Sequence, residues 1–180
     1  MFISAFQSVF RKRPPQQVRE AYIALVAQAR NPYFFTTLGV PDTLDGRFET
    51  IVLHLFLLQH RLRETDADFA RYLSEAFFEE MDASIRELGI GDSGVLHRVK
   101  RMGKAYHGRL QSYADGIAHA DNEALKAALA RNLYGTVAEG STAQLEAAAS
   151  YVRRLHVILT ATDSSELTSG NYTWPAPEAM

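Results

Sequence analysis

The sequence contains no cysteine among its 180 residues. That absence excludes disulfides, cysteine-ligated zinc, iron–sulfur clusters and thiol nucleophiles, so any metal site would need histidine and carboxylate ligands. A long hydrophobic run is missing too. The longest, 51–58, is interrupted by His54, whereas a membrane-spanning helix needs about 20 mostly apolar residues. The sequence therefore predicts no membrane-spanning segment, and nothing in it favours an oxidising compartment.

The motifs of common enzyme classes are also absent. There is no glycine-rich phosphate loop, no dinucleotide fingerprint, no His-Glu-x-x-His pair and no Gly-x-Ser-x-Gly elbow. His54 and His60 come nearest to a metal-binding pair, but at six residues apart they point in roughly opposite directions on a helix. We therefore predict a protein that is not an enzyme and holds neither metal nor cofactor. His54 is expected to be a hydrogen-bonded core histidine and His60 a surface residue.

The charges nearly cancel, with 19 basic and 21 acidic side chains, but they are arranged in blocks. Glu64 to Asp92 contains nine acidic residues against two arginines, and His97 to Arg109 contains five basic residues and no acid. On a helix, most of the basic residues share one side. Two interpretations stay open: a solvated face whose charges pair with the preceding helix, or a docking stripe for a phosphate, a lipid headgroup or an acidic partner. The stripe comprises Arg98, Arg101, Lys104 and Arg109, and Lys100 is the fifth basic residue of the segment.

Apolar residues recur at spacings of three and four, which is typical of amphipathic helices. The predicted fold class is all-α, a single domain of about six helices in an irregular bundle over 1–161, followed by an extended or partly disordered tail at 162–180 that Trp174 could hold down. The expected helices run from Pro15 to before Pro32, over 43–63, over 66–88, from an Asp92 cap, from Asp121 to Gly135, and over 142–161 behind a Ser141–Gln144 capping box. Gly103 and Gly108 suggest close packing, and 1–13 is expected to be a docked helix or an interfacial anchor.

The segment GVPDTLDGRFE, 39–49, is unusually polar for the start of a hydrophobic helix. Asp42 can cap the helix, Asp45 suits its positive end, and Glu49 can pair with Arg47 or Arg30. Gly46 and Arg47 need another explanation. A glycine there permits something to approach the backbone, and an arginine beside it can bind a carboxylate or a carbonyl. The apolar series that follows, from Leu44 through Phe48 and Ile51, is expected to face the core, and the segment 43–63 is expected to be buried on several sides.

Two segments resemble the ubiquinol-cytochrome c chaperone family. They are LVAQARNPYFFTTLGVPDTLDGRFETIVLHLFLLQHRLR, 25–63, and FFEEMDASIRELGIGDSGVLHRVKRMGKAYHGRL, 77–110. In its length, its lack of cysteine and the absence of a targeting segment, the sequence resembles a bacterial member of the family more than a mitochondrial one. The resemblance implies an assembly factor without catalysis, whose mitochondrial relatives engage newly made cytochrome b on its way into respiratory complex III.

We expect a protein that is cytoplasmic or peripheral at the inner membrane and that acts by binding partners. The expected partner is nascent cytochrome b, with the ribosome or a small co-chaperone as further candidates and no specific nucleic acid. The candidate client-binding residues are Asp42, Asp45, Gly46, Arg47, Glu49, Phe78, Asp82, Arg86, Glu87, Asp92, Arg98, Lys100, Arg101, Lys104, Tyr106 and Arg109. Phe77 fits the inward stripe of its helix and Phe78 does not, so an exposed Phe78 would be evidence for a client surface.

Two other functions stay open at this point. One is a helical protein that binds haem or quinone in a pocket lined by His54, His60 and Tyr106, which would show as an enclosed apolar cavity with converging polar groups. The other is an adaptor that docks on ribosomal RNA through the basic stripe, which would show as strongly salt-dependent RNA binding.

Overall fold

The computed structural model describes residues 15–87, 92–135 and 141–179, and within these ranges the side chains of 85–87, 92–102 and 179 are outside the description. The helices are α1 (Gln16–Ala29), α2 (Pro32–Thr36), α3 (Leu44–Leu62), α4 (Ala67–Glu87), α5 (Asp92–Ala118), α6 (Glu123–Asn132), α7 (Thr142–Ala161) and α8 (Ser164–Leu167), with a 3-10 turn at Pro177–Ala179. The described residues contain no strand, so the all-α prediction is confirmed.

The capping residues explain where several helices begin. The predicted capping box of α7 is confirmed: Gln144 N donates to Ser141 Oγ at 3.2 Å, and Ser141 N donates to Gln144 Oε1 at 2.9 Å. The expected cap of α3 is wrong by one residue. Thr43 Oγ1, not Asp42, accepts from Gly46 N at 3.1 Å. Asp42 therefore does not cap α3, and its carboxylate can bind another group.

Helix α3 forms the centre of the bundle. Every residue from Ile51 to Gln59 is buried, because α3 packs against α1, α4, α5 and α7 on different sides. A helix that is apolar all round is expected in such a position. The predicted burial of α3 on several sides is confirmed, and the elements that surround it place the motif 39–49 at one end of the bundle.

The close packing expected at Gly103 and Gly108 is wrong. A Cβ at Gly108 would meet nothing within 4 Å, and one at Gly103 would only touch Phe78 at 4.0 Å. The close approach lies further along α5, where a Cβ on Gly116 would come within 2.8 Å of the Leu125 Cα of α6. Gly116 therefore allows α5 and α6 to pack backbone against backbone.

Arg153 of α7 ties these elements together. Its guanidinium donates to main-chain carbonyls in the last turn of α5, Ile117 O at 2.7 Å and Gly116 O at 3.1 Å. It also donates to Asn122 Oδ1 at 3.1 Å. One side chain thus satisfies several carbonyls that a helix end leaves unpaired.

The segment after α7 returns over the bundle. Leu167 of α8 is buried, and Trp174 lies beside the ring of His54 with a centroid separation of 5.8 Å. Gln28 of α1 donates to the main-chain carbonyl of Pro175 at 3.0 Å. In the part of the chain that the structure describes, no helix is both long enough and apolar enough to span a bilayer.

Candidate functional site

The close approach predicted at Gly46 exists, but it is internal. A Cβ on Gly46 would lie 1.9 Å from the main-chain oxygen of Pro41, so only glycine fits where the loop folds back onto the first turn of α3. Thr43 N donates to the same Pro41 oxygen at 2.8 Å. Gly46 therefore shapes the entry to α3, and a partner cannot reach its backbone from that side.

Arg47 and Asp42 lie together on the surface in front of α3. Arg47 Nε donates to Asp42 Oδ1 at 2.6 Å, and both side chains remain about half exposed. The guanidinium lowers the pKa of the Asp42 carboxyl. It also lies 5.8 Å from the centroid of the Phe35 ring. Arg47 thus keeps a solvent-facing side that a further carboxylate or carbonyl can reach.

Leu44, which the apolar periodicity assigns to the core, is instead 85% exposed. It stands at the first position of α3, one turn before the partly buried Phe48, which packs on Phe77 at a centroid distance of 5.7 Å. Leu44 therefore extends an apolar stripe from the core out to the solvent. We call the surface formed by Phe35, Asp42, Leu44, Arg47 and Phe48 the α3 patch.

Glu49 was expected to pair with Arg47 or Arg30. It pairs instead with Arg109 of α5. Arg109 Nε donates to both carboxylate oxygens, at 2.8 and 2.7 Å, and a second guanidinium nitrogen donates to Oε1. Burial raises the pKa of the Glu49 carboxyl and Arg109 opposes that rise. The carboxylate in turn raises the pKa of Arg109. Arg109 is thus committed to an internal pair rather than free on a docking stripe. Asp45, one turn before Glu49, is exposed.

Phe78 is only 7% exposed, so the side chain proposed as the sharpest test of a client surface lies in the core. Its ring packs edge-on against Phe77 at 5.2 Å and against Tyr106 at 5.3 Å. Tyr106 is also buried, and its hydroxyl donates to Gln59 Oε1 at 2.6 Å. Phe78 does not fit the inward stripe of α4, but it is buried because α5 covers a second side of α4.

The remaining candidate residues are only partly within the description. Lys104 is exposed on α5 and Asp82 is partly buried on α4. The other members lie outside the described side chains: Arg86, Glu87, Asp92, Arg98, Lys100 and Arg101.

The two histidines considered for a ligand pocket are engaged with other groups. His54 is fully buried and is a hydrogen-bonded core histidine, as predicted. Its Nδ1 lies 2.7 Å from Thr50 O and its Nε2 lies 2.6 Å from Tyr151 Oη. Burial lowers its pKa to about 4. His60 is half-buried beside the ring of His156, at 5.5 Å.

This arrangement does not form the haem or quinone pocket considered above. Both His54 nitrogens and the Tyr106 hydroxyl bond to groups of the chain itself. Within the described residues, no group of three or more histidines and carboxylates is arranged to hold a metal ion.

Comparison with known proteins adds three findings. The family model described as Ubiquinol-cytochrome C chaperone matches residues 36–174. The ubiquinol-cytochrome-c reductase complex assembly factor 1 of Xenopus laevis is 25% identical over 157 residues, which are 85% of this chain and 78% of that protein. The crystal structure of the Cbp3 homolog from Brucella abortus superposes with a TM-score of 0.80 at 31% identity, over 99% of this chain and 98% of that chain.

The family match runs from the end of α2 to Trp174, so it includes the α3 patch except Phe35, the Glu49–Arg109 pair and most of the C-terminal segment. The chain belongs to the ubiquinol-cytochrome c chaperone family, as the two motifs predicted.

Proposed function

We propose that this protein is an assembly chaperone that binds newly synthesised cytochrome b and hands it on during biogenesis of the ubiquinol-cytochrome c reductase complex. It acts by binding alone, at the cytoplasmic side of the inner membrane. The family match and the resemblance to a named complex assembly factor support this class of function. The α3 patch is the surface assigned to the client.

The observation that carries this assignment is the exposure of Leu44. An aliphatic side chain that is 85% exposed gains nothing from the fold, whereas burying it against a partner is worth about 1.5–3 kcal/mol. Phe48 and Phe35 continue the apolar surface around it, and each is already partly packed on the core. A membrane protein that has not yet inserted exposes apolar helices, and these helices would cover Leu44.

The charged groups at the edge of the α3 patch orient the client rather than hold it. Arg47 and Asp42 form a neutral pair that is half exposed, so each can exchange its partner for a polar group of the client at little cost. On α5, Lys104 is exposed, and with Arg98, Lys100 and Arg101 it is assigned to acidic side chains, carbonyls or lipid phosphates. The ribosome and a small co-chaperone are further candidate partners.

Three exposed aliphatic residues on three helices make a matched test possible: Leu44 at 85%, Ile23 at 66% and Val157 at 64% exposure. The experiment compares Leu44→Asp, Ile23→Asp and Val157→Asp by the amount of newly made cytochrome b that co-purifies with each. Leu44→Asp suits the helix start electrostatically, so the fold is preserved. We expect Leu44→Asp to lower capture about tenfold or more, which corresponds to roughly 1.4 kcal/mol. Equal capture by all three variants would contradict the assignment.

A further inference from the structure

The segment that follows α8 has the features of a bound peptide. Exposure alternates along it: Asn171 and Thr173 face the solvent, whereas Tyr172 and Trp174 are partly buried. Such alternation is typical of an extended chain, in which successive side chains point in opposite directions. The rings of Tyr172 and Trp174 meet edge to face at 5.5 Å. The segment thus presents two aromatic rings to the bundle, followed by Pro175.

Trp174 packs against an aromatic cluster that is formed by residues of three other elements. The ring of Phe34 in α2 lies 5.1 Å from both His54 in α3 and Tyr151 in α7, in edge-to-face contacts. Trp174 adds a fourth ring, at 5.8 Å from His54 and an interplanar angle of 70°. Edge-to-face pairs at such distances are favourable beyond the area that they bury. The cluster therefore recognises an aromatic side chain by its shape and ring edges.

A chain of buried polar groups ends on the main chain of the same segment. It runs from the carbonyl of Thr50 through His54 to Tyr151, whose hydroxyl lies 3.5 Å from Gln28 Nε2. Gln28 Nε2 then donates to Pro175 O at 3.0 Å, and Gln28 itself is only 9% exposed. A buried amide that lacks an acceptor is costly, so this site favours a segment that places an acceptor there, as Pro175 O does. A main-chain acceptor can be supplied by any extended polypeptide.

We propose that Gln28, Phe34, His54 and Tyr151 form a binding site for an extended peptide of a partner protein in which an aromatic residue precedes a proline. In this structure the chain's own segment 171–176 occupies the site. The partner's segment would displace it, placing its aromatic ring on His54 and its proline carbonyl on Gln28 Nε2. This site does not depend on the α3 patch or on the identity of the client.

Segment 171–176 is part of the same chain as the site, and this covalent link determines how strongly it competes with a free peptide. A tethered segment acts at an effective concentration of the order of 1 mM, so a free peptide displaces it only when the peptide binds well or when the tail is weakened. Trp174→Ala weakens the tail without altering the four residues of the site. The full-length Trp174→Ala protein is therefore expected to bind a fluorescently labelled peptide with the sequence of residues 170–176 at least tenfold more tightly than the wild type, as measured by fluorescence anisotropy.

Matched variants test which residues bind. Adding Gln28→Ala to Trp174→Ala should remove most of the binding, whereas adding Gln111→Ala, at an exposed glutamine on α5, should leave it unchanged. A peptide with alanine in place of its tryptophan should not bind. The proposal would be overturned if the folded Trp174→Ala protein bound no peptide at millimolar concentration, or if Gln28→Ala had no effect.

A second measurement uses the wild-type protein. Trp174 is the only tryptophan, so its emission reports whether the segment is seated. A peptide of residues 170–176 with phenylalanine in place of tryptophan should shift that emission to the red as Trp174 moves into water. Emission unchanged at millimolar peptide would count against displacement. A dimer formed by exchange of tails between two copies would overturn the assignment to another protein.

Discussion

Arg109 holds the carboxylate of Glu49 with two nitrogens of its guanidinium group, across 60 residues of sequence. Glu49 belongs to the motif that opens α3, and Arg109 lies at the end of the second motif, on α5. The pair therefore joins the two segments that carry the family resemblance. Its place inside the bundle, with Glu49 6% and Arg109 23% exposed, gives it a structural role.

Removing Arg109 should destabilise the fold strongly. Arg109→Ala leaves a buried carboxylate without its partner, which is expected to cost about 3 kcal/mol of unfolding free energy, measured by urea denaturation. Replacing both residues by leucine should cost clearly less than the sum of the two single changes, because no lone charge stays buried. Arg47→Ala is the control: it breaks a half-exposed ion pair and should change stability little. Equal effects of Arg109→Ala and Arg47→Ala would contradict this role.

Two glycines should respond to alanine in opposite directions. Gly46→Ala would bring a Cβ within 1.9 Å of Pro41 O, so the loop before α3 must move and the melting temperature should fall. Gly108→Ala meets open space inside α5, and there the better helix propensity should stabilise by about 0.5–1 kcal/mol. Thermal unfolding of the two variants tests this. A Gly46→Ala protein as stable as the wild type would show that the Pro41 contact is not close in solution.

His54 makes stability depend on pH in a defined direction. Burial lowers its pKa from the ordinary 6.5 to about 4, so between these values the unfolded chain takes up a proton that the folded chain does not. The unfolding free energy should therefore fall as the pH drops from about 6.5 to about 4, by up to about 3 kcal/mol from this residue. Above that range the contribution is fully present.

The measurement compares urea denaturation at pH 7 and pH 5 for the wild type, His54→Gln and His119→Gln. The loss between the two pH values should be smaller in His54→Gln, which has no imidazole to protonate. His119 is exposed, so His119→Gln should lose as much as the wild type. If His54→Gln kept the full loss, the pH dependence would have to come from other groups.

The helices could be predicted from sequence because their signals are local. The capping box at Ser141 and Gln144 spans only four positions, and the apolar spacing of α3 recurs every turn. Pairings between distant residues could not be predicted in this way. Charge alone offered Arg30 and Arg47 as partners of Glu49, and only the packing of α5 on α3 brings Arg109 to it.

The candidate site was predicted less well than the fold, and for a similar reason. Periodicity treats each turn of a helix alike, so it assigned Leu44 to the core together with Ile51. In the structure the first turn of α3 is uncovered: exposure falls from 85% at Leu44 to 4% at Ile51. For Phe78 the difference is the reverse: it lies off the single apolar stripe of α4 but is buried. A second neighbouring helix, α5, covers that side of α4.

Client binding at the α3 patch, as we propose it, can be tested directly in cells. The direct test places a photo-crosslinking amino acid at Leu44, at Ile23 or at Val157 in cells that are synthesising cytochrome b, and then identifies the crosslinked product. We expect cytochrome b to be crosslinked from position 44 and not, or far less, from positions 23 and 157. Crosslinking that is strongest from position 23 or 157, or that is absent at all three positions while cytochrome b still co-purifies, would contradict it.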